Sequence, residues 1–139
     1  MSQNYTTILN ILDTQLSTTP GLPVLTQENI LSKPDSTTSW CRSTLLPAEP
    51  NILTVGQGGQ RQDQGLYQID VFTPKGSGAD PANQIADSIQ NTFIRGQYLS
   101  ANGVLVLVEK VWRQTATALS GTVFYQLPII VRWSRYDSN

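Results

Sequence analysis

The stretch from Gly65 to Gly96, GLYQIDVFTPKGSGADPANQIADSIQNTFIRG, constrains the fold more than any other part of the chain. Tyr67, Ile69 and Val71 alternate with Leu66, Gln68, Asp70 and Phe72, which is the period-two pattern of a strand with one apolar and one mixed face. Pro74-Lys75-Gly76-Ser77-Gly78 breaks that strand. Ala82, Ile85, Ala86, Ile89 and Phe93 then recur at helical spacing and predict a helix over 81–95. Asp80 reads as its N-cap, Pro81 as its first residue, where a missing donor costs nothing, and Gly96 as the glycine that ends it. An apolar helical stripe directly after a half-apolar strand has to be laid across a sheet, so the chain is built in layers.

The rest of the chain supplies the partners. Tyr5, Ile8, Leu9, Leu12 and Leu16 predict a helix over 3–17, ended by Pro20 and Gly21. A short strand is expected at 22–25, and a polar loop with a helical turn near 27–31 follows. Residues 39–46 alternate as a strand, with Pro47 and Pro50 bracketing a turn, and extended structure resumes at 52–55. GQGGQRQDQG, residues 56–65, has four glycines and no apolar side chain, so it reads as a mobile hairpin loop. Asn102-Gly103 is a tight-turn signal that pairs 98–100 with the strand 104–112, whose valine- and leucine-rich first half predicts cover on both faces and a central position. Residues 122–134 alternate as a long strand. Pro128 removes a ladder donor there and points to an edge or bulge, and so apolar an edge calls for cover by another subunit. These elements make an α+β fold with a mainly antiparallel (mixed) sheet and two helices packed on it, in a single domain spanning residues 1–139.

Composition narrows the chemistry. A chain of 139 residues with 39% apolar side chains can bury one core, and its net charge of −1 creates no global field to recruit nucleic acid or anionic lipid. There is no histidine and one cysteine, Cys41, so imidazole bases, imidazole–zinc sites, intrachain disulfides and redox pairs are all excluded. No cleaved signal or membrane span is expected, and a single thiol suits a reducing compartment.

The remaining motifs have plain structural readings beside the functional ones. PKGSG precedes a helix as a phosphate loop does, but Lys75 stands before the glycines and Asp80 sets a negative charge at the free amides, so a strand-to-helix joint is the better account. Asp63, Asp70, Asp80, Asp87 and Glu109 form no spacing suited to a metal or an acid/base pair. Trp40, Trp112 and Trp133 read as core or interface anchors, and Arg132 and Arg135 either as a solvated strand end or as the charged rim of a subunit contact.

A run over about residues 40–134 resembles the phage tail terminator family, the lambda-type minor tail proteins that cap the tail tube. It comprises WCRSTLLPAEP, the polar glycine loop, GLYQIDVFTPKGSG, the helix ANQIADSIQNTFIRG and the paired terminal strands. The resemblance implies a structural, non-enzymatic virion protein with no cofactor. It would form a homo-oligomeric ring, usually a hexamer, at the tail neck after assembly in the host cytoplasm. Its partners would be the tail tube protein on one face and the head–tail connector protein on the other, with DNA passing through the lumen without sequence-specific binding. Under that reading Gln57, Gln60, Arg61, Phe124, Arg132, Trp133 and Arg135 are the expected subunit or tube contacts. Alternatives are a head–tail completion protein of the neck, a monomeric binding module using the tryptophans, and a carboxylate hydrolase using Asp70 or Glu109.

Overall fold

Antiparallel pairing of two fifteen-residue strands sets the frame of the protein. A computed structural model describes residues 5–27, 39–48, 51–52, 60–76, 78–118 and 124–138. In chain order the elements are α1 (Tyr5–Ser17), β1 (Val24–Gln27), β2 (Trp40–Pro47), β3 (Asn51–Ile52), β4 (Gln60–Pro74), α2 (Asp80–Thr92), β5 (Tyr98–Ala101), β6 (Val104–Arg113), β7 (Thr117–Ala118) and β8 (Phe124–Ser138). One sheet runs β1-β2-β4-β8-β6-β5, with β3 joined to β4 and β7 to β8. Only β1 and β2 are parallel, so the fold is α+β with a mainly antiparallel sheet.

The period-two pattern decides which face meets the helices. Tyr67, Ile69 and Val71 of β4, Leu127, Ile129, Val131 and Trp133 of β8, and Val104, Val106 and Val108 of β6 are all buried on one face. Against them lie Ile8, Ile11, Leu12 and Leu16 of α1 and Ala82, Ala86 and Ile89 of α2. Each large aliphatic side chain removed from water here contributes about 1.5–3 kcal/mol. α1 also secures the end of α2: Gln15 Nε2 donates to the Thr92 carbonyl at 2.9 Å, and the Thr19 and Thr92 hydroxyls meet at 2.8 Å. That carbonyl is one of the acceptors a helix end leaves without an internal partner.

Several expectations are corrected by this arrangement. The terminal strand is not an edge: β8 runs between β4, along its whole length, and β6, so no other subunit has to cover it. Pro128 is accommodated because β6 stops at Arg113, opposite Ile129. Gln114 N still donates to the Pro128 carbonyl at 2.9 Å, but proline has no N–H to return the bond, and the ladder breaks before β7 resumes it at Thr117. The glycine loop is shorter than expected. Gln60–Gly65 belongs to β4, where β8 supplies ladder partners and Asp63 and Gly65 turn inward, while residues 56–59 lie outside the described residues. Of the extension at 52–55, only Ile52 is described, in β3, and β1 begins two residues later than the strand expected at 22–25. The helical turn placed near 27–31 falls outside the described residues except for Gln27, which ends β1.

Both ends of α2 are also displaced. Ala79, with no capping side chain, stands at its start, and Asp80 lies inside the first turn, where its charge still favours the helix dipole. The helix stops at Thr92 rather than at 95, because Phe93 takes an extended conformation (φ −100°, ψ 110°) that buries its ring 6.0 Å from that of Tyr67. β6 is covered on one face only, since Leu105 remains 50% exposed. A bulge between Val108 and Lys110 then switches the strand's parity, so that Val111 packs against the core beyond it. The turn at Asn102-Gly103 is as expected: both residues have positive φ (51° and 78°), and Ala101 pairs with Val104 across it.

Gly65 lies directly opposite Trp133 and has no room for a side chain. A Cβ at position 65 would lie 2.5 Å from the Leu46 carbonyl oxygen, 2.9 Å from Trp133 Cζ2 and 3.0 Å from Pro47 Cα. Two of these are backbone atoms, so a side chain here must displace β2 as well as the indole. Gly65→Ala is expected to lower stability by about 1–3 kcal/mol in urea unfolding, and an unchanged midpoint would show that the contact is not tight.

Candidate functional site

The helices cover one face of the sheet, so the opposite face is where the protein can meet something else. Its residues follow from register: Trp40, Arg42, Gln68, Asp70, Phe72, Gln126 and Ile130 at the β2-β4-β8 end, and Arg132, Lys110, Leu105, Leu107, Tyr98 and Ser100 at the β8-β6-β5 end.

The first half covers itself. Trp40 stacks on Phe72 with ring centroids 4.1 Å apart and planes 14° apart, and Phe124 meets these two rings edge-on at 5.8 and 6.3 Å. Arg42 lies over Phe72 at 5.3 Å and donates to Asp70 Oδ2 at 3.2 Å. Gln68 and Gln126 donate to Asp70 Oδ1 at 2.8 and 3.0 Å. An enclosed carboxylate is stable only when its acceptors are filled in this way. Asp70 is therefore a structural pivot, and its bonds to β2 and β8 tie three strands together.

The second half is only partly covered: Ser134, opposite Leu107, is fully buried, but its neighbours on this face are not. Tyr98 is 59% exposed and Leu105 50%, both on this face, and Lys110 and Arg132 stand directly opposite one another, both exposed. Neither cation pairs with an acid among the described residues; the Lys110 ammonium lies 5.3 Å over Trp112 instead.

The expected contact residues therefore separate. Arg132 is exposed on the second half, and Phe124 is half-buried in the aromatic cluster at the other end. Trp133 is fully buried, faces the helices and packs edge-on to Tyr5 at 6.5 Å, which is the core-anchor side of its sequence reading. Arg135 is buried too, 3.7 Å from the enclosed Asp63. The backbones of Gln60 and Arg61 pair with Ser138 and Asp137 in the long ribbon, and Gln57 lies outside the described residues. The sequence reading assigned no contact to Tyr98, Leu105 or Lys110. Leu105 alternates correctly for an outward position, but the expectation of a doubly covered strand concealed it.

Among the described residues no cluster of three metal-ligating side chains occurs, and no helix is long and apolar enough to cross a membrane. The one thiol is poorly placed for chemistry. Cys41 is buried and donates weakly to the Pro23 carbonyl at 3.9 Å; burial, with the Asp13 charge nearby, pushes its pKa from 9.0 up to about 12. Tyr67, which donates its hydroxyl to Asp13, is likewise raised, by burial first and by Asp13 second. Two open hollows lie among the described residues, a groove of about 450 Å³ between α1 and β5 and one of about 580 Å³ beside the turn after β4 and Tyr125.

Comparisons with known proteins give a family and two similar folds. The family model described as phage tail terminator protein matches residues 7–133. One solved structure, of a protein described only by a sequence identifier, shares 24% identity and superposes with a TM-score of 0.71 over 97% of this chain and 96% of its own. A chain from the virion of a native gene transfer agent particle shares 11% identity, with a TM-score of 0.63 over 99% of this chain and 100% of its own. No curated protein matches.

Two outcomes follow from the geometry. Arg42→Ala leaves the enclosed Asp70 carboxylate with amide donors but no counter-charge, and should cost about 2 kcal/mol in chemical denaturation; a neutral effect would mean the pair is not needed. Cys41 and Tyr67 hold their protons more tightly folded than unfolded, so their contribution is fully present below pH 9 and falls as pH rises from 9 towards 12. Cys41→Ala should flatten that alkaline loss, measured as unfolding free energy against pH, whereas an identical slope would contradict the assignment.

Proposed function

Because the chain belongs to the phage tail terminator family, matched over residues 7–133, we propose that it closes the head-proximal end of the tail tube as a hexameric ring. In this reading one face of the ring docks on the last ring of tube protein and stops polymerisation, while the other receives the head–tail connector. The family match carries the reading. The exposed half of the sheet supports it, since Leu105 and Tyr98, diagonal neighbours across β5 and β6, are both left exposed there and offer apolar area for a partner to bury.

Ring closure needs heterologous contacts, in which two different surfaces of each subunit meet. The sheet order supplies that asymmetry, with helices on one side and a helix-free sheet face on the other. The work asked of the protein is steric and adhesive, so it needs no nucleophile or metal. Phe124 and Arg132, together with the polar segment that includes Gln57, Gln60 and Arg61, are the residues we assign to contacts with neighbouring subunits or the tube.

The reading is tested by adding purified protein to tube protein that is polymerising. Tubes should stop growing when the protein is present in stoichiometric amounts relative to tube ends, with extra density at one end by negative-stain microscopy. Unchanged tube length at saturating protein would remove the capping role.

A further inference from the structure

We propose that the sheet continues from one subunit into the next: β1 of a neighbouring copy adds to the free edge of β5 as a parallel strand and lies under α1. This rests on the ring reading above and names the two strands that join its subunits.

The receiving edge is defined by its backbone. Val108 N donates to the Gln97 carbonyl at 2.9 Å, and antiparallel pairs alternate between bonded and non-bonded, so Leu99 with Val106 and Ala101 with Val104 are the next bonded pairs. The N–H and C=O groups of Tyr98 and Ser100 therefore point away from β6, and no strand lies beyond β5 among the described residues. All the residues of β5 line the groove of about 450 Å³ between this strand and α1, although they alternate in face, so the groove runs along the open edge. Asn10, Ile11 and Thr14 of α1 belong to its other wall, and no charged side chain lines it. Outward backbone donors and acceptors beside such a wall are matched by an extended chain, which adds to the sheet as a further strand.

The occupant comes from the other end of the same sheet. β1, VLTQ, is the opposite edge and has the same four-residue length as β5, YLSA. Neither strand contains a charge or a proline, the side-chain devices that keep an edge from pairing. The helices are spread unevenly between the two edges. α1 packs mainly on β5 and β6, and α2 on β8, β4 and β6, so a helix borders the β5 edge and neither helix has its main contacts at the β1 edge. Head-to-tail pairing places that less covered strand under α1 of the next copy. Direction fits as well: from β1 to β5 there is one parallel step and four antiparallel ones, so the two edge strands run the same way. Copies around a ring share one direction along its axis, so β5 meets the next β1 in parallel and every subunit uses both edges. A twofold pairing of β5 with β5 would leave each β1 edge open.

The test is a cross-link between copies. Ser100→Cys and Thr26→Cys proteins are mixed, assembled on tubes and treated with a short bismaleimide; the native Cys41 is buried and does not compete. The mixture should give a covalent dimer, and Ser100→Cys alone should not. Independently, Ser100→Pro removes an N–H that β6 does not use. It should keep the parent's urea midpoint yet need about tenfold more protein to assemble on tubes. Amide exchange at Tyr98 and Ser100 of the parent protein, which needs no variant, should slow on assembly. If the proline lowers the midpoint, the cross-link and the exchange decide alone. Dimers from Ser100→Cys alone put β5 against β5 and overturn the proposal. A mixture that gives no dimer, unchanged exchange at Tyr98 and Ser100, or a stable Ser100→Pro that assembles at the parent concentration overturns it equally. In each of those cases, rings that still stop tubes leave the terminator reading standing. A parent protein that neither forms rings nor stops tubes overturns the ring reading and this inference together.

Discussion

The ribbon formed by β4 and β8 depends on one contact, the Trp133 indole lying across Gly65. Fifteen residues pair along it in unbroken antiparallel register, and every other strand of the sheet attaches to one side or the other. The indole is fully buried, and its Nε1–H has no hydrogen-bond partner among the described residues, a cost of about 1–3 kcal/mol that the burial of so large a ring offsets. Any side chain at position 65 would push the ring and the β2 backbone apart together. Where that contact holds, register holds, and a slip of one residue would turn every valine and isoleucine of the core face towards water.

With the ribbon in place, polar groups sort by face. Inward, Cys41 and Tyr67 lie beside Asp13, and burial, with that charge nearby, raises the pKa of both. Outward, Asp70 consumes its acceptors on Arg42, Gln68 and Gln126, which ties β2, β4 and β8 into one rigid unit. What remains is an exposed region at the β5-β6-β8 end, with Tyr98, Leu105 and two cations, Lys110 and Arg132, that pair with no acid among the described residues. For a protein of the tail terminator family that is a sensible distribution: a plate braced by polar bonds on one half and an exposed surface on the other.

Much of this plan was legible in the residues. Period-two runs at Leu66–Phe72 and in the terminal strand identified the ribbon's core face, helical spacing identified both helices, and Asn102-Gly103 identified the hairpin turn. The failures share one cause, which is that strand neighbours are not encoded locally. Pro128 correctly signalled an interrupted ladder, but the interruption is a gap between β6 and β7 beside a central strand, a position no single segment reveals. Gln60–Gly65 looked like loop because it lacks apolar side chains, yet ladder bonds and the inward turn of Gly65 make it strand. Phe93 overrode helix continuation by finding a place in the core. Of the expected contact residues, Arg132 is exposed and Trp133 is buried in the subunit's core, a difference the sequence does not show because exposure and burial of an aromatic look alike until its face is known.

The central claim is that this chain limits the length of a tube. Electron microscopy of particles assembled with the gene for this chain removed tests it most directly. Headless tails of excessive and variable length, restored to uniform length by supplying the protein, are the predicted result. Tails of normal length joined to heads would contradict the account.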